Sequence, residues 1–330
     1  MQIHLRVWTL LLALAGVAWA GSGREPFMLG ADVSWVPQQE AEGRVFSVGG
    51  TNADVLAILR AHGFNWARLR LFHSPQNPQG YAKQGWCDLP HTVAMAKRVK
   101  AAGFQLLLDF HYSDTWADPA HQQRPLAWRA LDDAALARSV GAYTREALLA
   151  FKAAGVTPEM VQIGNEITNG FLWRAGESNL TNWAAFGAEL KAGIAATRAV
   201  APHARVMLHL DCGGDNKRSR WFLDNAARQG VTFDLLGLSY YPKWHGPVAA
   251  LKKNLEDLAA RYPQPILVVE YTAPTLREPN ELVHALPNGK GLGTFIWEPT
   301  GYGGPALFTD RGRAKPELEL YPQLARDLAK

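Results

Sequence analysis

The sequence predicts a single-domain (β/α)8 TIM barrel, on three observations. Short apolar runs alternate with helical segments from end to end, a glycine closes several of those segments, and polar or acidic residues gather at the C-terminal ends of the runs. The runs fall at residues 28–34, 65–72, 104–111, 160–166, 205–211, 233–240, 265–270 and 292–298. They are rich in Val, Leu, Ile and Phe, as parallel strands buried on both faces are. Between them, LPHTVAMAKRVKAAG shows the helical period most clearly, with apolar residues on one face, basic ones on the other, and Gly103 as its stop. Gly63, Gly155 and Gly230 end other helices in the same way. A doubly wound open sheet would usually bring a glycine-rich phosphate turn after its first strand, and GADVSW has none. Asp32, Arg68, Arg70, His111, Glu166, Asp211, Tyr241, Glu270 and Glu298 stand at strand exits, the face where a barrel assembles a site from many loops.

The first 20 residues stand apart from the fold. MQIHLRVWTLLLALAGVAWA has a short basic start, an apolar run over residues 7–18 and small residues at Ala18 and Ala20, which reads as a cleaved export signal. The mature chain, residues 21–330, is then expected outside the cytoplasm, secreted or periplasmic, and no run is long enough to span a bilayer. A hydrophobic fraction of 48% against 19% charged residues supplies a sizeable core. Lys and Arg are scattered and the net charge is only +4, so nucleic acid is not the expected partner. No long apolar stripe is left over, and a monomer is expected. Cys87 and Cys212 fit no zinc spacing; they are either one disulfide or two buried thiols. Several of the 12 tryptophans sit in loop-like contexts such as DTWADP and YPKWHGP, where an indole can stack on the C–H face of a sugar; the rest are expected in the core.

Two carboxylates carry the chemistry. VQIGNEITNGFLW runs from an apolar strand into Gly164, Asn165 and Glu166, and PILVVEYTAP ends its strand on Glu270. A carboxylate at a strand exit is costly among apolar neighbours unless it is paired or used. Strands four and seven lie across an eight-stranded barrel from one another, so their terminal side chains can meet over its mouth. Glycoside cleavage needs such a pair, one to protonate the leaving oxygen and one to attack the anomeric carbon, with carboxyls about 5–5.5 Å apart where configuration is retained. Glu166 would then need a raised pKa, and Arg68 or Arg70, or the hydroxyl of Tyr241, could hold Glu270 ionised.

With these segments in view, the chain resembles glycoside hydrolase family 53, the endo-β-1,4-galactanases, within clan A of barrel glycosidases. The likeness runs through GADVSW, ARLRLF, AKRVKAAG, LLLDFHYSDTWADPAHQQRPLAW, IGNEITNGFLW, MLHLD, GLSYYPKW, LVVE and GLGTFIWEP. It implies a retaining enzyme acting on β-1,4-galactan or type I arabinogalactan without a cofactor, with Glu166 as acid/base and Glu270 as nucleophile. It also implies that Asn165 contacts the sugar 2-hydroxyl, that Arg68 and Tyr241 orient the nucleophile, and that His111 lines the cleft beside the acid/base. Trp297 would lie under the sugar at the cleavage point, and Asp114, Trp116 and Trp173 would shape the cleft. The chain departs from the family in YTAP after the nucleophile, in Phe72 and His73 after strand two, and in the short stretch between Glu270 and Gly291. That stretch leaves room for only a brief seventh helix and implies fewer glycone subsites and no calcium site.

Three other readings compete. His111, Asp114, Asp118 and His121 could mark a metal-dependent hydrolase, although they lack a helical pair of histidines. A non-catalytic carbohydrate-binding barrel would account for the tryptophans but not for two strand-end glutamates. Within enzymes, another clan A β-1,4-glycanase acting on mannan or glucan is the alternative.

Overall fold

The structure is a computed structural model describing residues 25–301 and 306–329. The export signal expected at residues 1–20 lies outside the described residues. Eight parallel strands close into a barrel: β1 (Met28–Asp32), β2 (Trp66–Leu71), β3 (Gln105–Phe110), β4 (Met160–Ile163), β5 (Arg205–Leu210), β6 (Leu235–Tyr240), β7 (Ile266–Tyr271) and β8 (Gly291–Ile296). Each strand pairs with its neighbour in sequence, and β1 closes on β8 with Met28 opposite Gly293 and Ala31 opposite Ile296. A two-stranded hairpin of Ser47–Val48 with Thr51–Asn52 stands apart from the barrel. Most strands are shorter than the apolar runs, because His111, Glu166, Asp211 and Glu298, expected to end them, belong to the loops that follow. Glu166 lies three positions beyond β4, whereas Glu270 sits inside β7.

Helices fill the gaps as the glycine punctuation predicts. The helix Leu89–Ala101 starts at Asp88, whose carboxylate accepts from the His91 N–H, and stops before Gly103 at φ 81°. Gly63, Gly155 and Gly230 also take positive φ after their helices. The stretch after β7 holds one seven-residue helix, Glu278–His284, as its length predicts. Among the described residues, no helix is long and apolar enough to cross a membrane. Cys87 and Cys212 are separate buried free thiols.

The barrel interior changes character along its axis. Met28, Trp66, Leu107, Met160, Met207, Leu235, Leu267, Val269 and Phe295 pack together, at least one from every strand, and plug the N-terminal end. Phe295 fills the space left by Gly30, where a Cβ would lie 2.2 Å from its ring. Two residues further along, the same inward face carries Arg68, Asp109, Gln162 and His209. The outward residues of the strands join the large core beneath the helices.

One irregularity decides where Glu270 points. Alternation from inward Leu267 would turn Val269 in and Glu270 out. The register slips here, with Leu238 opposite Val268 but Ser239 opposite Glu270. This bulge adds a residue to β7 and turns Glu270 to the interior.

Candidate active site

The polar residues above the plug form a closed hydrogen-bonded belt around seven strands. Arg68 is its hub. Its Nη1 donates to Glu270 Oε1 at 2.7 Å and Asp32 Oδ2 at 3.2 Å, and its Nη2 donates to Asp109 Oδ2 at 2.8 Å and Asn165 Oδ1 at 2.7 Å. Gln162 donates to Asp109 at 2.6 Å and lies 3.2 Å from His209 Nδ1. His209 Nε2 is 2.9 Å from the Ser239 hydroxyl, which donates to Glu270 Oε2 at 3.4 Å and so returns the belt to Arg68. Burial works against the Arg68 charge, but Asp109, Glu270 and Asp32 outweigh it and keep the guanidinium protonated. Removing one partner from such a buried ionic cluster costs about 3–5 kcal/mol.

Glu270 is buried and held from both sides, by Arg68 on Oε1 and by the Tyr241 hydroxyl on Oε2 at 2.8 Å. Burial, then the charges of Glu270 and Glu166, push the Tyr241 phenol well above its usual range, so it stays a donor. Glu166 arrives by a different route. The chain leaves β4 through Gly164 at φ 80°, where a Cβ would meet Ile167 Cγ2 at 2.6 Å, and Glu166 itself takes left-handed φ 51°, ψ 49°. A long side chain is strained there, and the surrounding bonds impose it. Gln122 donates to the Asn165 carbonyl at 2.7 Å, and Asn165 Nδ2 donates to the Ala117 carbonyl at 2.8 Å. Burial first, and the charge of Glu270 second, push the Glu166 carboxyl well above the usual carboxylate range, with the Ser239 hydroxyl offsetting part of the effect. His209 is kept neutral by burial and by the nearby Arg68.

Both glutamates open into one cavity of about 820 Å3, also lined by Asp32, Trp35, Arg70, His111, Trp116, Asn165, Tyr241, Trp297 and Glu298. Trp35, Trp116 and Trp297 form an aromatic wall, with centroids 5.4 Å apart for Trp35 and Trp297 and 5.9 Å for Trp35 and Trp116. The Arg70 guanidinium lies 4.4 Å from the Trp116 ring centre and 5.3 Å from that of Trp35, and it is ion-paired with Glu298. The two arginines considered as partners of Glu270 therefore divide: Arg68 takes that task, and Arg70 anchors the aromatic wall.

The other predicted residues also separate. His111 lines the cavity, but its Nδ1 accepts from the Ala117 N–H at 3.0 Å and its Nε2 faces Asp109 at 3.1 Å, so both nitrogens are engaged within the protein. Asp114 is not among the cavity residues. Its carboxylate accepts from Ser74 N, Asn77 Nδ2 and Leu126 N, clamping the loops after β2 and β3 together. Despite burial, hydrogen bonds from His73, Leu126 and Asn77 hold it below the usual range. Asp114→Ala is expected to lower stability by about 1–3 kcal/mol, read as an earlier urea midpoint, and to leave KM unaltered. A raised KM at full stability would return Asp114 to the cleft. Trp173 lines a separate cavity of about 220 Å3 with Arg124 and Glu189. The residues His111, Asp114, Asp118 and His121 take separate partners: His111 faces Asp109, Asp114 accepts from Ser74, Asn77 and Leu126, and Asp118 and His121 pair with each other at 2.9 Å.

Sequence reasoning passed over Gln162, His209 and Ser239, although each is an isolated polar side chain between apolar neighbours in a buried strand. It quoted Trp35 within GADVSW without assigning it a place.

A parallel barrel whose C-terminal mouth presents two facing carboxyls, one of them favoured in its protonated form, beside an aromatic wall has the make-up of a barrel glycoside hydrolase. Residues 28–281 match the family model described as glycosyl hydrolase family 53. The chain belongs to that family. It is 41% identical over 314 residues to an uncharacterised protein in the bgaB 5' region of Niallia circulans, covering 83% of this chain and 84% of that one. It is 31% identical over 337 residues to the arabinogalactan endo-β-1,4-galactanase of Thermothelomyces thermophilus, covering 89% of this chain and 98% of the relative. The GH53 catalytic domain of Ignisphaera aggregans superposes with a TM-score of 0.83 at 32% identity, covering 91% of this chain and 99% of that one.

Proposed function

We propose that the protein is an exported, monomeric enzyme that cleaves β-1,4-galactosidic linkages within galactan and type I arabinogalactan by double displacement. Glu166 is the acid/base and Glu270 the nucleophile. The observation that carries this reading is that both carboxyls open into one cavity, where the charge of Glu270 helps keep Glu166 protonated while Arg68 and Tyr241 hold Glu270. The galactan substrate follows from the activity named for the relatives.

In the first step, a Glu270 oxygen attacks the anomeric carbon while Glu166 gives its proton to the glycosidic oxygen, and the leaving chain departs with a free hydroxyl. Glu270, now an ester, has lost its charge. The Coulombic contribution that raised the Glu166 pKa disappears with it, so the carboxylate left on Glu166 is well placed to act as base. In the second step Glu166 takes a proton from water, the hydroxide attacks the same carbon, and Glu270 leaves with configuration retained. Arg68 and Tyr241 hold Glu270 through both steps, Trp297 lies beneath the reacting sugar, and Asn165 meets its 2-hydroxyl.

Incubation with galactan, arabinogalactan, mannan and cellulose, followed by sizing of the products, tests the substrate. Short β-1,4-galacto-oligosaccharides from unbranched galactan are expected. Cleavage of mannan or cellulose with galactan untouched would replace the substrate assignment.

A further inference from the structure

We infer that the smaller cavity, which Glu189 lines, is a second binding site that takes one neutral sugar unit. It stands apart from the cleft, because none of its lining residues lines the cavity of Glu166 and Glu270.

Arg124, the first residue of the helix Asp133–Ala153, the first two turns of the helix Trp183–Val200 and the loop before it border about 220 Å3. Glu189 is only 4% exposed, yet its carboxyl makes no hydrogen bond or ion pair with any described residue. A buried polar group left in that state is costly, and its partner has to come from outside the chain. The charges around it are already answered. Arg174 and Asn182 donate to Asp133, and Glu177 accepts from the Arg174 N–H at 2.8 Å. Arg124 donates to the Leu172 carbonyl at 2.7 Å and to the Leu131 carbonyl at 2.9 Å. The guanidiniums of Arg124 and Arg174 balance Asp133 and Glu177, and Glu189 is the group left over.

What Glu189 can recognise follows from its protonation. Burial pushes its carboxyl up to about 8, with Arg124 offsetting part of the effect and Asp133 adding to it. Near neutral pH it is uncharged and presents one O–H donor beside acceptor oxygens, a pattern that pairs with a hydroxyl. A metal ion lacks its ligands: among the described residues no three His, Cys, Asp or Glu are grouped to hold one. An anion would have to displace Asp133 from Arg174. The volume is that of about seven waters, which suits one pyranose or furanose ring and not a chain of them. Phe171, Trp173 and Phe186 add apolar surface for the C–H face of such a ring, and Asn179 and Thr181 add polar groups for its other hydroxyls.

Trp173 reports on this cavity and Trp297 on the cleft. In protein carrying isotope-labelled tryptophan, D-galactose or L-arabinose should shift the Trp173 indole N–H resonance saturably near neutral pH. Glu189→Leu should weaken that response about tenfold or more and leave any response of Trp297 as it was. Glu189→Gln keeps a donor and an acceptor, so it should bind as the wild type does. Wild-type binding should weaken as pH rises past about 8, where the carboxyl loses its donor, and Glu189→Gln should not follow. Affinity electrophoresis in arabinogalactan, with Glu270→Ala as background, separates the source of the sugar. Retardation that Glu189→Leu reduces marks the end unit of a polysaccharide chain, and unaltered retardation beside a shifted Trp173 marks a free sugar. No saturable shift at Trp173 with either sugar, or one that Glu189→Leu leaves intact, overturns the site.

Discussion

Glu270→Ala is expected to abolish galactan cleavage, with kcat lower by roughly 10^6-fold, the scale seen when a covalent nucleophile is removed. Ground-state binding should survive, because the aromatic wall of Trp35, Trp116 and Trp297 and the asparagine at position 165 do not depend on Glu270 for their anchors. Arg68 keeps Asp32 and Asp109 as partners, so the fold should persist. Affinity electrophoresis in galactan together with turnover measures both properties at once. Added azide gives a second readout. With the side chain gone, azide can enter from the face that Glu270 occupied and attack β-galactobiosyl fluoride, yielding the α-azide. A variant that still degrades galactan would remove Glu270 from the reaction.

Glu166→Ala should behave differently. On galactan, where the leaving oxygen needs a proton, kcat should fall by about 10^2–10^4-fold. Fluoride departs without protonation, so the glycosyl-enzyme should still form quickly from β-galactobiosyl fluoride. The second step then lacks its base, and azide should intercept the intermediate to give the β-azide, opposite in configuration to the Glu270→Ala product. The pH dependence has a definite sign. Burial and the Glu270 charge raise the Glu166 pKa, and the protonated form starts the reaction. Wild-type activity on galactan therefore persists above the ordinary carboxylate range and falls as pH rises through the shifted value. The first step on the fluoride should lack that alkaline fall. An equal loss on galactan and the fluoride, with no azide product, would mean that Glu166 supports the site without moving a proton.

The barrel was legible because its signals are periodic. Apolar runs repeat eight-fold, helical segments and closing glycines punctuate them, and the strand-end glutamates then fall across the mouth from one another. What the sequence hid is what breaks a period. The inward aim of Glu270 depends on the bulge in β7, and a run as uniformly apolar as ILVV gives no sign of it. Arg68 and Arg70 share one face of β2, and only their depth decides that the first reaches Glu270 and the second Glu298. Asp114 and Trp116 lie two residues apart in one loop, yet one clamps backbone amides and the other meets the cavity. No periodicity governs such a loop, and the family resemblance alone placed both in the cleft. Gln162, His209 and Ser239 are the opposite case. Isolated polar residues in buried strands must find partners, and here they find one another and, through Asp109 and Arg68, close the belt.

Two facing carboxyls, one covalent and one proton-carrying, are tested most directly by trapping the intermediate. A 2-deoxy-2-fluoro-β-galactobiosyl fluoride should inactivate the protein with one fluorinated disaccharide bound per chain, and peptide mass mapping should place the adduct on Glu270. An adduct on any other residue, or galactan hydrolysis that releases the inverted α-anomer with no adduct formed, would contradict the double-displacement account.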